Sequence, residues 1–248
     1  MNKIFPPMYS RPQKYMPFVL GIYGIFSFFV FPFLLMPLFG AGLWETPKWI
    51  AWLEIVYHVL NGIIVASMLS ECLKDGWFML TLDRRSSVGH IALTVGLMAA
   101  VLLHQIFLLF VAGYPIYYCF NGLPVVEKHV ALTPYYLAEV HPIAGAISMV
   151  IFSPIAVCGL FYALSFAPLC VKEKPVLAYL SVVVITAIPF IIDILWRQDV
   201  ELNIMMYVMQ LPAHLIACWS YQKTDNIWTP IISLAIVNLL ASLVAIFL

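Results

Sequence analysis

An all-α polytopic bundle of transmembrane helices is the fold class that this sequence predicts, and three observations predict it. Hydrophobic residues are 64% of the 248 and charged ones 10%, against about 45–50% and about 25% in soluble domains. With 12 Lys plus Arg and 12 Asp plus Glu, a soluble fold would lack the charge to cover its surface. Seven apolar stretches each approach or exceed the ~20 residues that cross the hydrocarbon. Lys and Arg are also divided unevenly between the ends of those stretches. The sparse and balanced charge, net zero, also argues against nucleic-acid binding, which needs a basic patch. The bilayer, not nucleic acid, is the expected surrounding.

In chain order the expected spans are Tyr15–Phe39, Trp49–Leu69, Ile91–Gly113, Pro142–Pro168, Pro175–Trp196, Asn203–Trp219 and Ile227–Leu248. The first is too long for the apolar region of a signal peptide and reads as a retained anchor. Charges and turn-formers mark the boundaries, as in Glu45-Thr-Pro-Lys48, Lys172-Glu-Lys174-Pro175 and Lys223-Thr-Asp-Asn226. With the N-terminus in the cytoplasm, Lys3, Arg11, Lys14, Lys74, Arg84, Arg85, Lys172, Lys174 and Lys223 fall inside. Lys48, Lys128 and Arg197 fall outside. Nine against three supports seven spans with the N-terminus cytoplasmic and the C-terminus outside. The chain reads as one membrane unit in two parts. Residues 1–134 hold spans one to three with an interfacial segment and an outer loop, and residues 135–248 hold a four-helix core.

Two connections exceed the usual two to eight residues of helix–helix links. Ser70–His90 joins Lys74-Asp-Gly-Trp-Phe78 to Asp83-Arg-Arg85 and is expected at the cytoplasmic interface, with Trp77 and Phe78 in the headgroup region. Tyr114–Val140 is an aromatic-rich outer loop. It holds Cys119, the one cysteine of five in an outside loop, so no disulfide framework is expected and the cysteines read as packing residues.

Ionisable residues inside spans are costly and are functional candidates by default. Glu54 and His58 stand four residues apart, on one helix face, and Asn61 follows. They suit a proton-relay pair, half of a metal site, or a hydrogen-bonded contact between helices. Asp193 lies within reach of Arg197 at i+4. His104 can bond a neighbouring helix, and His214 follows Pro212, which frees a carbonyl on the preceding turn. Glu139 and His141 stand at the outer mouth of span four, where Pro142 reads as a helix start. The sequence contains no His-Glu-x-x-His, no Ser/His/Asp set, no Gly-rich phosphate loop and no CxxC, so neither a metal nor a cofactor is expected.

Gln210-Leu-Pro-Ala-His-Leu-Ile-Ala-Cys-Trp-Ser-Tyr-Gln-Lys-Thr-Asp-Asn-Ile-Trp-Thr-Pro-Ile-Ile232, continuing through Ser233-Leu-Ala-Ile-Val-Asn-Leu-Leu240, resembles the C-terminal part of the CAAX-protease and bacteriocin-processing (CPBP, or Abi) family. In that family a Tyr-x-x-Thr-Gly-Asn/Ser turn leads into Ile-x-x-Pro-Ile and a helix bearing His-x-x-x-Asn. Phe152-Ser-Pro-Ile-Ala-Val-Cys-Gly-Leu-Phe-Tyr-Ala-Leu164 resembles the first family motif, Ala-Pro-Ile-x-Glu-Glu-x-x-Phe-Arg-Gly-Leu. The resemblance covers roughly residues 135–248. It implies an intramembrane protease in which a glutamate, helped by histidines, activates water against a peptide bond.

Carried over, the paired glutamates fall on Val157 and Cys158, the arginine on Tyr162, and the His-x-x-x-Asn residues on Leu234 and Asn238. The Phe-x-x-x-His motif falls on Ile185 and Pro189. Of the polar set only Asn238 matches, while Pro154, Phe161, the Thr224-Asp-Asn226 turn and Pro230 keep the frame. The chemistry needs a carboxylate tuned to take a proton from water and an oxyanion stabiliser facing it. Valine supplies neither, and Cys158 would need a base to become a nucleophile.

The expected protein is therefore catalytically silent, sits in a bacterial cell membrane, and binds or regulates a membrane protein or peptide. Two alternatives stand beside it. One is an active endopeptidase with a relocated site drawn from Glu54, His58, His214 and Asn238, or from Glu139 and His141. The other is a small transporter with a wet path past Glu54, His58, Asp193 or His214.

Overall fold

The computed structural model describes residues 47–111, 141–166, 175–197 and 200–247, with isolated helical positions at 21, 24 and 169; some side chains within these helices are not described. Among the described residues every element is a helix. We label them α1 (Pro47–Met68), α2 (Ser70–Leu82), α3 (Arg84–Val111), α4 (residues 142–166), α5 (Pro175–Arg197), α6 (Val200–Thr224) and α7 (Trp228–Phe247). Expected span one, apart from positions 21 and 24, lies outside the described residues. So do the outer loop with Cys119 and Glu139, and the Lys172-Glu-Lys174 link.

Arg84–His104 of α3 and Pro142–Ala163 of α4 are long and apolar enough to cross a membrane, and α1 with α2 would add a third only if counted as one bent span. Pro175–Ile188 and Trp228–Leu243 are shorter apolar stretches. The long link expected over Ser70–His90 is not a loop. Residues 70–82 form α2, which leaves α1 at a bend of 81°, and α3 starts at Arg84, seven residues before the expected start of its span. Nothing at 83–90 breaks a helix except Asp83 itself, whose carboxylate accepts from the Ser86 N–H at 3.4 Å as an N-terminal cap does.

α4 is not a regular helix. It runs as Pro142–Ile147 in α form, Ser148–Phe152 as a π-turn, Ser153–Val157 in α form and Cys158–Phe166 as a second π stretch. The first π-turn has a cause in the sequence. The Ser153 N–H donates to the Ser148 carbonyl, five residues back. The next donor in that register would be the N–H of residue 154, and Pro154 has none. The Met149 carbonyl is thus left without a helical partner, and Asn238 of α7 fills the gap, its Nδ2 donating to Met149 O at 2.7 Å. By contrast, Pro212 is accommodated inside a continuous α6.

α1 lies directly on α4 because two glycines remove the obstacle. A Cβ on Gly62 would come within 2.7–2.8 Å of Cβ, Cα and O of Phe152, and one on Gly159 would collide with Val65 and Leu69. Small residues permit this close approach where lipid gives helices no hydrophobic reason to associate. The order of these contacts makes α1 and α4 parallel. Tyr162 against His214 and Phe166 against Tyr221 make α4 and α6 parallel too. Residues 47–111 therefore do not form a separate unit: α1, α2 and α3 contribute Val65, Leu69, Cys72 and Met98 to the same buried cluster as Cys158, Phe161, Phe166, Ala217, Tyr221, Ile231 and Val237.

One end of the bundle is closed by α2 and the α6–α7 turn. Asn226 Nδ2 donates to Gly76 O at 2.8 Å, its Oδ1 accepts from the Trp228 N–H at 2.9 Å, and Trp228 Nε1 donates to Leu73 O at 2.7 Å. Trp77 and Trp228 pack edge to face with ring centroids 5.1 Å apart. The turn itself needs Asp225 at φ 48, a left-handed conformation that Asp tolerates better than most residues. All four described Lys and Arg side chains, Lys74, Arg84, Arg85 and Lys223, are exposed at this end.

Candidate functional site

Val157, which ends the second α-form stretch of α4, and Cys158 and Tyr162, in the π stretch that follows, are the positions that the resemblance aligns with paired glutamates and an arginine. Val157 is half-buried and packs against the core, and Cys158 is 0% exposed within it. Tyr162, buried, follows four residues later. On α6, His214 and Cys218 have the same spacing, and since the two helices are parallel the pairs face one another. Tyr162 Oη and His214 Nδ1 are hydrogen-bonded at 2.8 Å. The His214 ring also meets Phe161 edge to face at 5.7 Å, and Cys218 belongs to the same buried cluster as Cys158 and Tyr162. This is a cluster of two buried thiols and a buried phenol with a half-buried imidazole at its edge.

What such an interior can do follows from its groups. The Tyr162–His214 bond satisfies two polar side chains that would otherwise each carry a desolvation cost of about 1–3 kcal/mol. It supplies no carboxylate. Every described Asp or Glu side chain, namely Glu71, Asp75, Asp83 and Asp225, is exposed at the end of the bundle that also carries Lys74, Arg84, Arg85 and Lys223. Glu54 and Asp193 lie on α1 and α5 with side chains outside the described set. Among the described residues no group of three or more His, Cys, Asp or Glu is arranged to hold a metal ion.

The remaining candidates lie elsewhere in the bundle. Asn238 is buried and bonded to Met149 O. Met149 and Tyr162 are 13 residues apart on α4, about 15–20 Å along the axis, so Asn238 and His214 engage α4 about three turns apart. Leu234, where the family histidine would fall, is partly buried against the core cluster. His58 is half-buried and sits edge-on to Tyr57 at 5.5 Å, and Asn61 beyond it is buried. His141 stacks on Trp52 with ring centroids 4.4 Å apart. His104 is exposed on α3. On α5, Ile185 is half-buried against the core and the Pro189 side chain lies outside the described set.

Several polar contacts have no separate signal in the sequence. Thr94 Oγ1 donates to Ser220 Oγ at 2.9 Å and links α3 to α6. Tyr179 Oη donates to Gln222 Oε1 at 2.9 Å and Tyr207 Oη to Val183 O at 2.6 Å, joining α5 to α6. The Asn226 latch lies in the turn that carries the family resemblance, where the motif suggests only a change of direction.

No family model, curated protein or solved structure matches the chain.

Proposed function

We propose that this chain is a seven-span integral membrane protein, N-terminus cytoplasmic and C-terminus outside. In this reading its last four helices form a degenerate CPBP-type core that performs no proteolysis and acts by binding or regulating a membrane protein or peptide. The observation that carries the reading is the interior around Cys158. Where the resemblance calls for two glutamates and an arginine stand a valine, a thiol sealed in apolar contacts, and a tyrosine whose hydroxyl is already engaged by His214.

Intramembrane peptide hydrolysis needs a base with access to water and a stabiliser for the oxyanion. Here Tyr162 Oη and His214 Nδ1 are engaged with one another, and no carboxylate stands beside them among the described residues. Asn238, the one residue of the family's polar set that the resemblance retains, serves the backbone of the π-turn. The sidedness of Lys74, Arg84, Arg85 and Lys223 supports the proposed orientation.

The test is an endopeptidase assay on the full chain in proteoliposomes, with quenched membrane-spanning peptides as probes. The expected result is no turnover above empty liposomes. Cleavage that disappears in Cys158→Ser or His214→Ala would overturn the proposal and return the protein to the enzymes.

A further inference from the structure

The elbow between α2 and α3 combines features that the bundle itself does not use. The first half of α2 is polar and charged, while its second half, Trp77-Phe78-Met79-Leu80-Thr81-Leu82, is apolar on nearly all sides. Trp77 is 50% exposed, Phe78 62% and Leu82 65%. The Asp83-Arg84-Arg85 corner follows directly. The Asp83 carboxylate is turned toward the Ser86 amide. Arg84 and Arg85 are exposed, and among the described residues neither guanidinium is in an ion pair. Glu71 and Asp75 lie on the first two turns of α2, on the other side of the helix break at Asp83 from the two arginines. The elbow is preformed, because Asn226 and Trp228 hold α2 by its backbone at Gly76 and Leu73.

We infer that this elbow binds the headgroup of an anionic phospholipid, with Arg84 and Arg85 on the phosphate and Trp77, Phe78 and Leu82 among the glycerol and upper acyl carbons. Charge complementarity selects the occupant. Guanidinium forks match phosphate oxygens in bidentate geometry, indole and phenyl rings favour the depth just below the headgroups, and the local charge of the corner, two arginines against one capped aspartate, is positive. A zwitterionic lipid offers the same phosphate but brings an ammonium back onto the two arginines. The inference goes beyond the proposed function. It depends on the placement of this end at a membrane surface and is independent of whether the core hydrolyses peptides.

The experiment uses the purified full chain in a non-ionic detergent, heated with phosphatidylglycerol, phosphatidylcholine or inorganic phosphate. Phosphatidylglycerol is expected to raise the unfolding midpoint by about 3 °C over phosphatidylcholine at saturating lipid. In R84Q/R85Q that difference should vanish while the midpoint in phosphatidylcholine stays unchanged. Lys223→Gln, at the same end but outside the elbow, should keep it. Equal stabilisation of the natural chain by both lipids, or a phosphatidylglycerol shift that survives R84Q/R85Q, overturns the inference. An equal shift from inorganic phosphate alone overturns the lipid as occupant. If R84Q/R85Q is not recovered folded, native mass spectrometry of the natural chain with an equal mixture of the two lipids decides. Preferential phosphatidylglycerol adducts support the site, and equal adducts refute it. Flotation with liposomes checks the membrane placement separately.

Discussion

Replacing Asn238 with alanine removes one hydrogen bond, and its effect is expected to depend on a residue that Asn238 is not shown to bond. In the natural chain the Met149 carbonyl has lost its α-partner, because the Ser153 N–H is committed to Ser148 O. It has also lost its π-partner, because residue 154 is proline. Asn238 Nδ2 at 2.7 Å is the described replacement. Asn238→Ala therefore strands a buried carbonyl. Leaving such a group unpaired costs about 1–3 kcal/mol, and interhelical bonds measured in membranes average ~0.6 with a maximum near 1.7, so about 1–1.5 kcal/mol is expected. Pro154→Ala restores an N–H five residues beyond Met149, in the register that Ser148 and Ser153 already use. In that background Asn238→Ala should cost only a few tenths of a kcal/mol, a coupling of about 1 kcal/mol between the two positions. Equilibrium unfolding of the four variants in mixed micelles reads this directly. If Asn238→Ala costs the same with and without Pro154, the account of the π-turn is wrong.

Three further outcomes follow from the packing and the latch. Gly62→Ala and Gly159→Ala should each destabilise the bundle by about 2–3 kcal/mol, seen as a lower unfolding midpoint, because each methyl meets α4 or α1 at impossible range; alanine at Gly89, where a Cβ would meet no atom within 4 Å, should not lower the midpoint and should raise it, helix propensity adding up to about 1 kcal/mol. Tyr162→Phe leaves His214 Nδ1 without its hydroxyl and should cost about 1 kcal/mol, whereas Y162F/H214L should recover most of that loss in the same unfolding measurement. Asn226→Ala should release α2 and expose Cys72, whose thiol is pushed up to about 11 by burial, with Asp75 adding to the effect. Because the thiolate is the reactive form, alkylation of Cys72 should be slow at pH 8, rise about tenfold per pH unit, and increase roughly ten- to a hundredfold in the variant as the thiol returns toward its ordinary value of about 8.5–9. Peptide-level mass spectrometry checks it, and unchanged labelling would show that Asn226 does not hold α2.

The helical class and most helix bounds were legible because apolar length is a one-dimensional property. The stretches expected at Trp49–Leu69, Pro142–Pro168, Pro175–Trp196 and Ile227–Leu248 correspond to α1, α4, α5 and α7 within a few residues. Where the reading fell short, the information was not local. α2 has enough charge to look like a loop, and the bonds that hold it in place come from Asn226 and Trp228, some 150 residues away. The π-turn was half-visible in Pro154, but its completion required knowing that Asn238 faces Met149. At the candidate site, the sequence placed Tyr162 where the resemblance has arginine and marked His214 as a lone histidine. Only the parallel course of α4 and α6 turns these two separate notes into one bonded pair.

The glycine crossing of α1 and α4 also bears on the order of assembly. These helices are neighbours in space but not in the chain, with α2, α3 and residues 112–140 between them. During synthesis α1 leaves the ribosome with the Gly62 notch empty, and its partner surface at Phe152 is about 90 residues behind. At roughly 5–20 residues per second that is an interval on the order of 5–20 seconds, during which α1 cannot make its native contact. α1 must wait until α4 brings Phe152 to the Gly62 notch and its own Gly159 to Val65 and Leu69.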